Sequence, residues 1–135
     1  VKIRIVEQDP FEENVRVYLN LGHTFAHAIE RVSNFQVPHG EAVALGLVCA
    51  TTLSRQLGLL LEPEAKRITN VIAQCGLPTR IPNELGTDAL LKAMQTDKKR
   101  SGNQVRLVLP RALGRVEIFE AVTREQIDQV ISVCR

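Results

Sequence analysis

The segment that most limits the fold of this chain is a predicted helix over residues 39–57, which is apolar around nearly its whole circumference. A helix without a polar face is stable in water only when other elements cover it on every side. Its most apolar run, residues 42–50, is also too short to cross a bilayer. We therefore predict that this helix lies at the centre of a helical bundle, where Gly46 would let another backbone approach closely.

Helical periodicity, interrupted by turn-forming residues, predicts further helices around the central one. These cover about residues 10–32, 64–74 and 87–94, and a last helix follows a predicted capping box of Thr123 and Gln126. Alternating residues predict a short strand over residues 1–7 and a β-hairpin made of residues 105–109 and 116–119. The predicted fold is mainly α: one domain, residues 1–135, built as a helical bundle with one small β-hairpin.

Composition and charge narrow the class of protein. The chain is 44% hydrophobic and 24% charged, as is typical of a soluble globular protein, and its net charge is only +2. The basic residues are scattered, so binding to nucleic acid or to a membrane surface is not expected. Cys49 and Cys75 fall in apolar helical patterns, which indicates buried free thiols in a reducing compartment. Without a signal peptide at Val1, we expect a cytoplasmic protein that begins inside a longer gene product.

The most informative polar residues recur at steps of four, three, four and three. This spacing places them along one face of a predicted helix over residues 16–30, whose other positions are mostly apolar. The members of this stripe are Arg16, Asn20, His23, His27 and Glu30. A solvated face of an amphipathic helix would also be polar, but such faces are usually built from Lys, Glu and Gln. The stripe therefore favours a binding site.

The placement of the histidines indicates a metal site. All three histidines of the chain lie between positions 23 and 39. His23 and His27 are one helical turn apart and can face one ion, and His39 at the start of the next helix could add another nitrogen. Zinc is a natural occupant of an imidazole site, and Glu41 is a possible carboxylate partner for His39. Taken alone, His39 is more simply an ordinary residue at a helix N-terminus.

Basic and amide side chains near these histidines suit an anion. Arg16 offers a fixed fork of donors to a carboxylate or a phosphate, and Asn20 adds a neutral donor. A second basic cluster, the string DKKRSG at residues 97–102, includes Lys98 and Lys99. On spacing alone, this cluster is typical of a solvated turn before the hairpin.

Two histidine-containing strings resemble the signature of the 3-dehydroquinate synthase family. They are LNLGHTFAHAIE at residues 19–30 and HGEAVALGL at residues 39–47. The strings DKKRSG, VRLVLP and ALG are similar to the family's closing lysine loop and hairpin, and Asp9, Glu12 and Arg16 precede Asn20 in the family's order. The resemblance covers essentially the whole chain, which it identifies as the helical C-terminal domain. Its motifs are specific for the wider sugar-phosphate cyclase superfamily.

The resemblance implies a role for each histidine. His23 and His39 match the two zinc-binding histidines of the family. His27 matches a histidine beside the metal that helps in phosphate contact and proton transfer. On this resemblance His27 is not a third metal ligand, although its spacing would allow that role.

The resemblance also implies the substrate contacts and the reaction. Arg16 and Asn20 match contacts to substrate anions, Lys98 or Lys99 matches a lysine that reaches the substrate, and Lys2 lies at the position of another substrate lysine. Family enzymes convert the seven-carbon keto-acid sugar phosphate DAHP to 3-dehydroquinate with release of phosphate, a carbon–oxygen lyase reaction. The reaction belongs to the shikimate pathway of aromatic amino acid biosynthesis. These enzymes use NAD and zinc or cobalt, and they are commonly homodimers.

The chain departs from the family pattern in two ways. Ala26 stands where the family usually has glycine, a small change that packing can absorb. The family's third zinc ligand, a glutamate, and its N-terminal NAD-binding domain belong to sequence upstream of Val1, and this chain has no GxGxxG string. The isolated chain is therefore expected to be inactive and to hold neither zinc nor NAD tightly.

Other functions remain compatible with the sequence. Another sugar-phosphate cyclase, of the deoxy-inosose or valiolone type, would share most of these motifs, although Arg16 and Lys2 favour a substrate with a carboxylate. An alcohol or glycerol dehydrogenase would need no anion clamp. A non-catalytic helical zinc-binding module is the alternative from a different class.

Overall fold

The computed structural model describes residues 2–9, 15–96 and 105–135, which form a helical bundle and one β-hairpin. The helices are α1 (Lys2–Gln8), α2 (His23–Val32), α3 (His39–Gln56), α4 (Glu62–Gln74), α5 (Thr87–Thr96) and α6 (Arg124–Val133), with a 3-10 helix at Val15–Asn20. The strands β1 (Val105–Ala112) and β2 (Arg115–Val122) pair antiparallel. This mainly α architecture confirms the predicted helical bundle with a hairpin. Within these residues, no helix has the length and apolar character needed to cross a membrane.

Helix α3 occupies the centre of the bundle, as its apolar circumference predicts. It packs against α2, α4, α6 and β1, and more than half of its residues are buried. Leu45 and Leu53 are almost completely buried, at 1% and 0% exposure. Because burying a leucine side chain contributes roughly 1.5–3 kcal/mol, the burial of these two side chains stabilises the packing around α3.

Helices α2 and α3 meet backbone to backbone where Gly22 contacts Gly46. Gly22 has a positive φ of 76°, a conformation that glycine adopts without steric cost. A Cβ atom added to Gly46 would overlap the carbonyl oxygen of Gly22, and one added to Gly22 would lie 2.8 Å from the backbone nitrogen of Leu47. Both positions therefore need glycine. The close backbone approach predicted at Gly46 is confirmed.

The first described segment is a helix, α1, and the strand predicted for residues 1–7 is wrong. Its backbone groups bond locally: the N–H of Asp9 donates to the carbonyl of Ile5 at 3.0 Å. A strand would need a neighbouring strand for these groups, and the described sheet consists of β1 and β2 alone. Ile3 is 73% exposed, so the apolar alternation does not mark a buried face.

The continuous helix predicted over residues 10–32 is also wrong. Residues 15–20 form the 3-10 helix, residues 21–22 form a turn, and α2 begins at His23. The left-handed conformation of Gly22 interrupts a right-handed helix, which explains the break. The predicted start of this helix at Pro10 lies outside the described residues.

The remaining elements follow the predictions, with shifts at their ends. Helix α4 starts at Glu62 with Pro63 in its first turn, and both strands extend beyond their predicted ranges. At the start of α6, the N–H of Gln126 donates to Thr123 Oγ1 at 3.3 Å, and the N–H of Thr123 donates to Gln126 Oε1 at 2.9 Å. This reciprocal pair is the predicted capping box.

The three cysteines are free thiols that differ in burial. Cys49 in α3 and Cys134 after α6 are buried, at 0% and 5% exposure. Cys75 follows α4 and is exposed, so its predicted burial is wrong. The helical pattern that suggested burial ends at Gln74, and Gly76, with a φ of 73°, redirects the chain just after Cys75.

We predict that Cys75 is the first thiol to be alkylated in the folded chain. Iodoacetamide should add one group rapidly, and Cys49 and Cys134 should react only after unfolding, because a buried thiol is shielded from the reagent. Peptide mass spectrometry would locate the adduct. A Cys75→Ser variant is the control and should stay unmodified over the same period. Rapid labelling of Cys49 in the native protein would contradict the packing of α3.

Candidate metal and substrate site

His23 and His27 lie in the first two turns of α2. His23 is the first residue of the helix and follows Gly22, whose contact with Gly46 fixes where the helix starts. The two rings meet edge to face, with their centroids 5.8 Å apart. His23 is half-buried and His27 is exposed. The one-turn spacing therefore brings both imidazoles to one side of α2, as predicted.

A tight loop after α2 reverses the direction of the chain, so that His39 lies beside His23. Asn34 and Phe35 have positive φ values of 51° and 61°, which reverse the direction of the chain between α2 and α3. His39 is the first residue of α3, and its ring centroid lies 6.0 Å from that of His23. The structure thus gathers the three histidines of the chain into one cluster.

Hydrogen bonds fix which ring nitrogen of two histidines can face a metal. His39 Nδ1 lies 2.8 Å from Glu30 Oε1, and His23 Nδ1 lies 3.2 Å from the carbonyl oxygen of Leu21. A carbonyl or carboxylate oxygen only accepts, so each Nδ1 carries the proton and donates it. In a neutral imidazole the lone pair is then on Nε2, which is the atom able to coordinate a cation.

These donors fit part of a zinc site. Imidazole nitrogens are preferred zinc ligands, and structural or catalytic zinc sites use three or four protein ligands. Among the described residues, no group of three His, Cys, Asp or Glu side chains is arranged to hold a metal ion. The chemistry of His23 and His39 suits two ligands of such an ion, which is fewer than the three or four that zinc sites use.

Glu30 is the site residue whose contact the sequence did not reveal. The sequence indicates Glu41 as a possible carboxylate partner of His39. In the described part of the chain, the carboxylate on His39 comes instead from Glu30, nine residues away. The sequence does place Glu30 in the polar stripe. Its contact with His39, however, depends on the loop that brings the start of α3 beside α2.

Arg16 and Asn20 do not share the helix face that carries the histidines. Both lie in the 3-10 helix, and the turn at residues 21–22 separates them from α2. In a 3-10 helix, residues four apart differ by about 120° around the axis, so the single stripe predicted from the sequence is wrong. The N–H of Arg16 donates to Asp9 Oδ2 at 3.0 Å, which ties the 3-10 helix to the end of α1. Asn20 is half-buried one turn before α2.

The substrate-binding roles predicted for three lysines stay predictions. Lys98 and Lys99, with the rest of the DKKRSG string, lie outside the described residues, between the end of α5 and the start of β1. Lys2 is the first residue of α1, and only its backbone belongs to the described part. The described site therefore consists of the histidine cluster, Glu30 and the neighbouring 3-10 helix.

Comparison with known sequences gives consistent matches. The family model described as 3-dehydroquinate synthase C-terminal matches residues 1–100. A 3-dehydroquinate synthase of Shewanella piezotolerans is 46% identical over 132 residues, which are 97% of this chain and 37% of the relative. One of a Synechococcus species is 41% identical over 131 residues, 96% of this chain and 36% of the relative. The chain thus spans just over a third of the length of these relatives.

Two solved structures share the fold of this chain. A 2-epi-5-epi-valiolone synthase from Streptomyces hygroscopicus with NAD+ and Zn2+ bound has a TM-score of 0.85 at 23% identity, covering 98% of this chain and 36% of its own. A 2-deoxy-scyllo-inosose synthase complexed with carbaglucose-6-phosphate, NAD+ and Co2+ has a TM-score of 0.88 at 22% identity, covering 99% and 39%. At these identities the likeness establishes the fold alone.

Proposed function

We propose, because this chain belongs to the 3-dehydroquinate synthase C-terminal family, that it is the metal- and substrate-binding part of an enzyme that converts DAHP to 3-dehydroquinate. The complete enzyme would then be a carbon–oxygen lyase of the shikimate pathway in the cytoplasm. The observation that carries the proposal is the pairing of His23 with His39. Both rings form a hydrogen bond within the protein through Nδ1, which leaves Nε2 as the atom that would coordinate a metal ion.

Zinc and NAD are the cofactors we propose for the complete protein. Zinc, when bound, would polarise substrate oxygens as a Lewis acid. His23 and His39 would hold the ion, and the remainder of the protein would supply a third ligand and the NAD site. The NAD+ with Zn2+ or Co2+ in the two solved structures of the same fold supports the choice of these two kinds of cofactor. We expect the isolated chain to hold neither cofactor tightly.

The other site residues would bind the anionic groups of the substrate. Arg16 and Asn20 would contact a carboxylate or phosphate, and Lys98 or Lys99, with Lys2, would offset its negative charge. His27 lies in the second turn of α2, whose N-terminal end is positive and favours an anion. In this position His27 would contact the phosphate of the substrate and transfer a proton to or from the substrate.

A related cyclase is the second candidate. The two solved structures of this fold are a valiolone synthase and a deoxy-inosose synthase, so the fold does not separate these reactions. The curated relatives at 41% and 46% identity favour 3-dehydroquinate synthase. Arg16 adds modest support, because a guanidinium pairs well with the carboxylate of a keto acid.

The test is phosphate release by the complete gene product supplied with NAD and zinc. We expect turnover of DAHP and none of glucose 6-phosphate, a sugar phosphate without a carboxylate. The isolated 135-residue chain should give no turnover and no stoichiometric zinc by elemental analysis. Turnover of glucose 6-phosphate alone would favour the related cyclase. A complete protein that releases phosphate from neither compound would contradict the proposal.

A further inference from the structure

His39 is an exposed ring that depends on one side-chain contact for its orientation. Its side chain is 63% exposed, whereas the Glu30 side chain that it contacts is 13% exposed. An exposed histidine at a helix start would otherwise exchange between rotamers and between its two neutral tautomers. The 2.8 Å contact from Nδ1 to Glu30 Oε1 selects one rotamer and one tautomer.

Glu30 is itself held in place by the loop that follows it. Its backbone carbonyl accepts hydrogen bonds from the N–H of Phe35 at 2.7 Å and from Ser33 Oγ at 3.1 Å. Ser33, which is 7% exposed, also accepts the N–H of Val37 at 3.3 Å through Oγ. The end of α2 and the approach to α3 therefore form one hydrogen-bonded unit that carries the carboxylate.

We propose that Glu30 is a positioning residue that holds His39 with Nδ1 protonated and Nε2 available beside His23. The inference rests on the proposed metal site and goes beyond it, because it assigns a residue that does not touch the ion. A carboxylate behind a ligating histidine fixes the tautomer and ring orientation and makes the ring a better donor. Loss of such a partner typically weakens metal binding by about 10- to 100-fold.

A purely stabilising ion pair would behave differently. Exposed ion pairs contribute little to the stability of a fold, and such a pair would not need a particular ring nitrogen of His39. Our proposal instead requires the Nδ1–H tautomer of His39 before any metal is present. The tautomer is therefore the readout that separates positioning from simple stabilisation.

The first experiment measures the tautomers by 15N NMR of the metal-free chain at mildly alkaline pH, where ordinary imidazoles are neutral. We expect His39 in the Nδ1–H form in the wild type and in Glu30→Gln, whose amide oxygen still accepts. In Glu30→Ala, His39 should change toward the Nε2–H form. His23 should keep Nδ1–H in every variant, because it donates to the carbonyl of Leu21. An unchanged His39 spectrum in Glu30→Ala would overturn the proposal.

The second experiment titrates the complete protein with Co2+ and follows the visible absorption of the bound ion. Glu30→Ala should raise the dissociation constant about 10- to 100-fold, Glu30→Gln should raise it less, and the matched control Glu41→Ala should leave it unchanged. Equal affinity of wild type and Glu30→Ala would overturn the inference while leaving the proposed function standing. A wild-type protein with neither Co2+ binding nor DAHP turnover would remove the proposed function itself.

Discussion

Replacing Gly46 by alanine should lower the free energy of unfolding by about 3 kcal/mol or more, the upper end of the cost of overpacking. The added methyl group would occupy the space of the Gly22 carbonyl oxygen and would also lie 3.1 Å from the backbone nitrogen of Ala26. The obstacle is backbone, so no side chain can rotate away. The first turn of α2 would have to move off α3, and His23 would move with it.

Gly40 provides a control for this substitution within the same helix. It is the second residue of α3, and a Cβ atom added there meets nothing within 4 Å. Gly40→Ala should therefore be neutral or stabilise by up to about 1 kcal/mol, since alanine restricts the unfolded chain. Urea unfolding followed by far-ultraviolet circular dichroism would compare the two variants. Equal midpoints for Gly46→Ala and Gly40→Ala would refute the backbone contact between α2 and α3.

The parts of the fold that could be predicted from the sequence are those with a signal that no alternative structure explains. Helix α3 is apolar around nearly its whole circumference, so a central position is the one that keeps it from water. The Thr123 and Gln126 pair has the spacing of a capping box, and both hydrogen bonds form locally. The hairpin has two runs of residues that favour strands, separated by Pro110 and Gly114, and Gly114 has a φ of 81° at the turn.

The failures occur where a local pattern is too short to decide between two structures. Residues 1–7 alternate like a strand, but the described part of this segment belongs to the helix α1, which needs no neighbouring strand to satisfy its backbone. Between Arg16 and Glu30 the apolar spacing suits a helix throughout, and the interruption comes from one left-handed glycine, Gly22. Glycine is permitted in either conformation, and the packing of Gly46 decides which one is adopted.

The candidate site divides in the same way. The spacing of His23 and His27 within one helix was sufficient to place them together. Bringing His39 to His23 depended on the resemblance, because pattern alone favoured an ordinary helix start. The pairing of His39 with Glu30 required the positive φ angles of the intervening loop, and no periodicity encodes these. Tertiary contacts of polar residues were therefore the least predictable part of the site.

Replacing His27 by alanine in the complete protein should lower kcat by about 10²- to 10⁴-fold, the usual contribution of a general acid or base, while metal content stays at the wild-type level. His27 lies one turn after His23, with the ring centroids 5.8 Å apart, so spacing alone would equally allow it to be a ligand. We propose the proton-transfer role for it because the resemblance implies a histidine beside the metal at this position, and ligands at His23 and His39.

His23→Ala is the matched control for His27→Ala, since it removes a neighbouring imidazole of the same helix. We expect this variant to lose both turnover and metal, because removing one histidine ligand leaves an incomplete coordination sphere. Elemental analysis after gel filtration would measure metal content, and phosphate release from DAHP would measure kcat. If His27→Ala loses metal as fully as His23→Ala, then His27 is a ligand, and the proton must be moved by another residue. If it retains both metal and turnover, its place beside His23 has no catalytic consequence, and substrate binding must rely on the arginine, asparagine and lysine contacts.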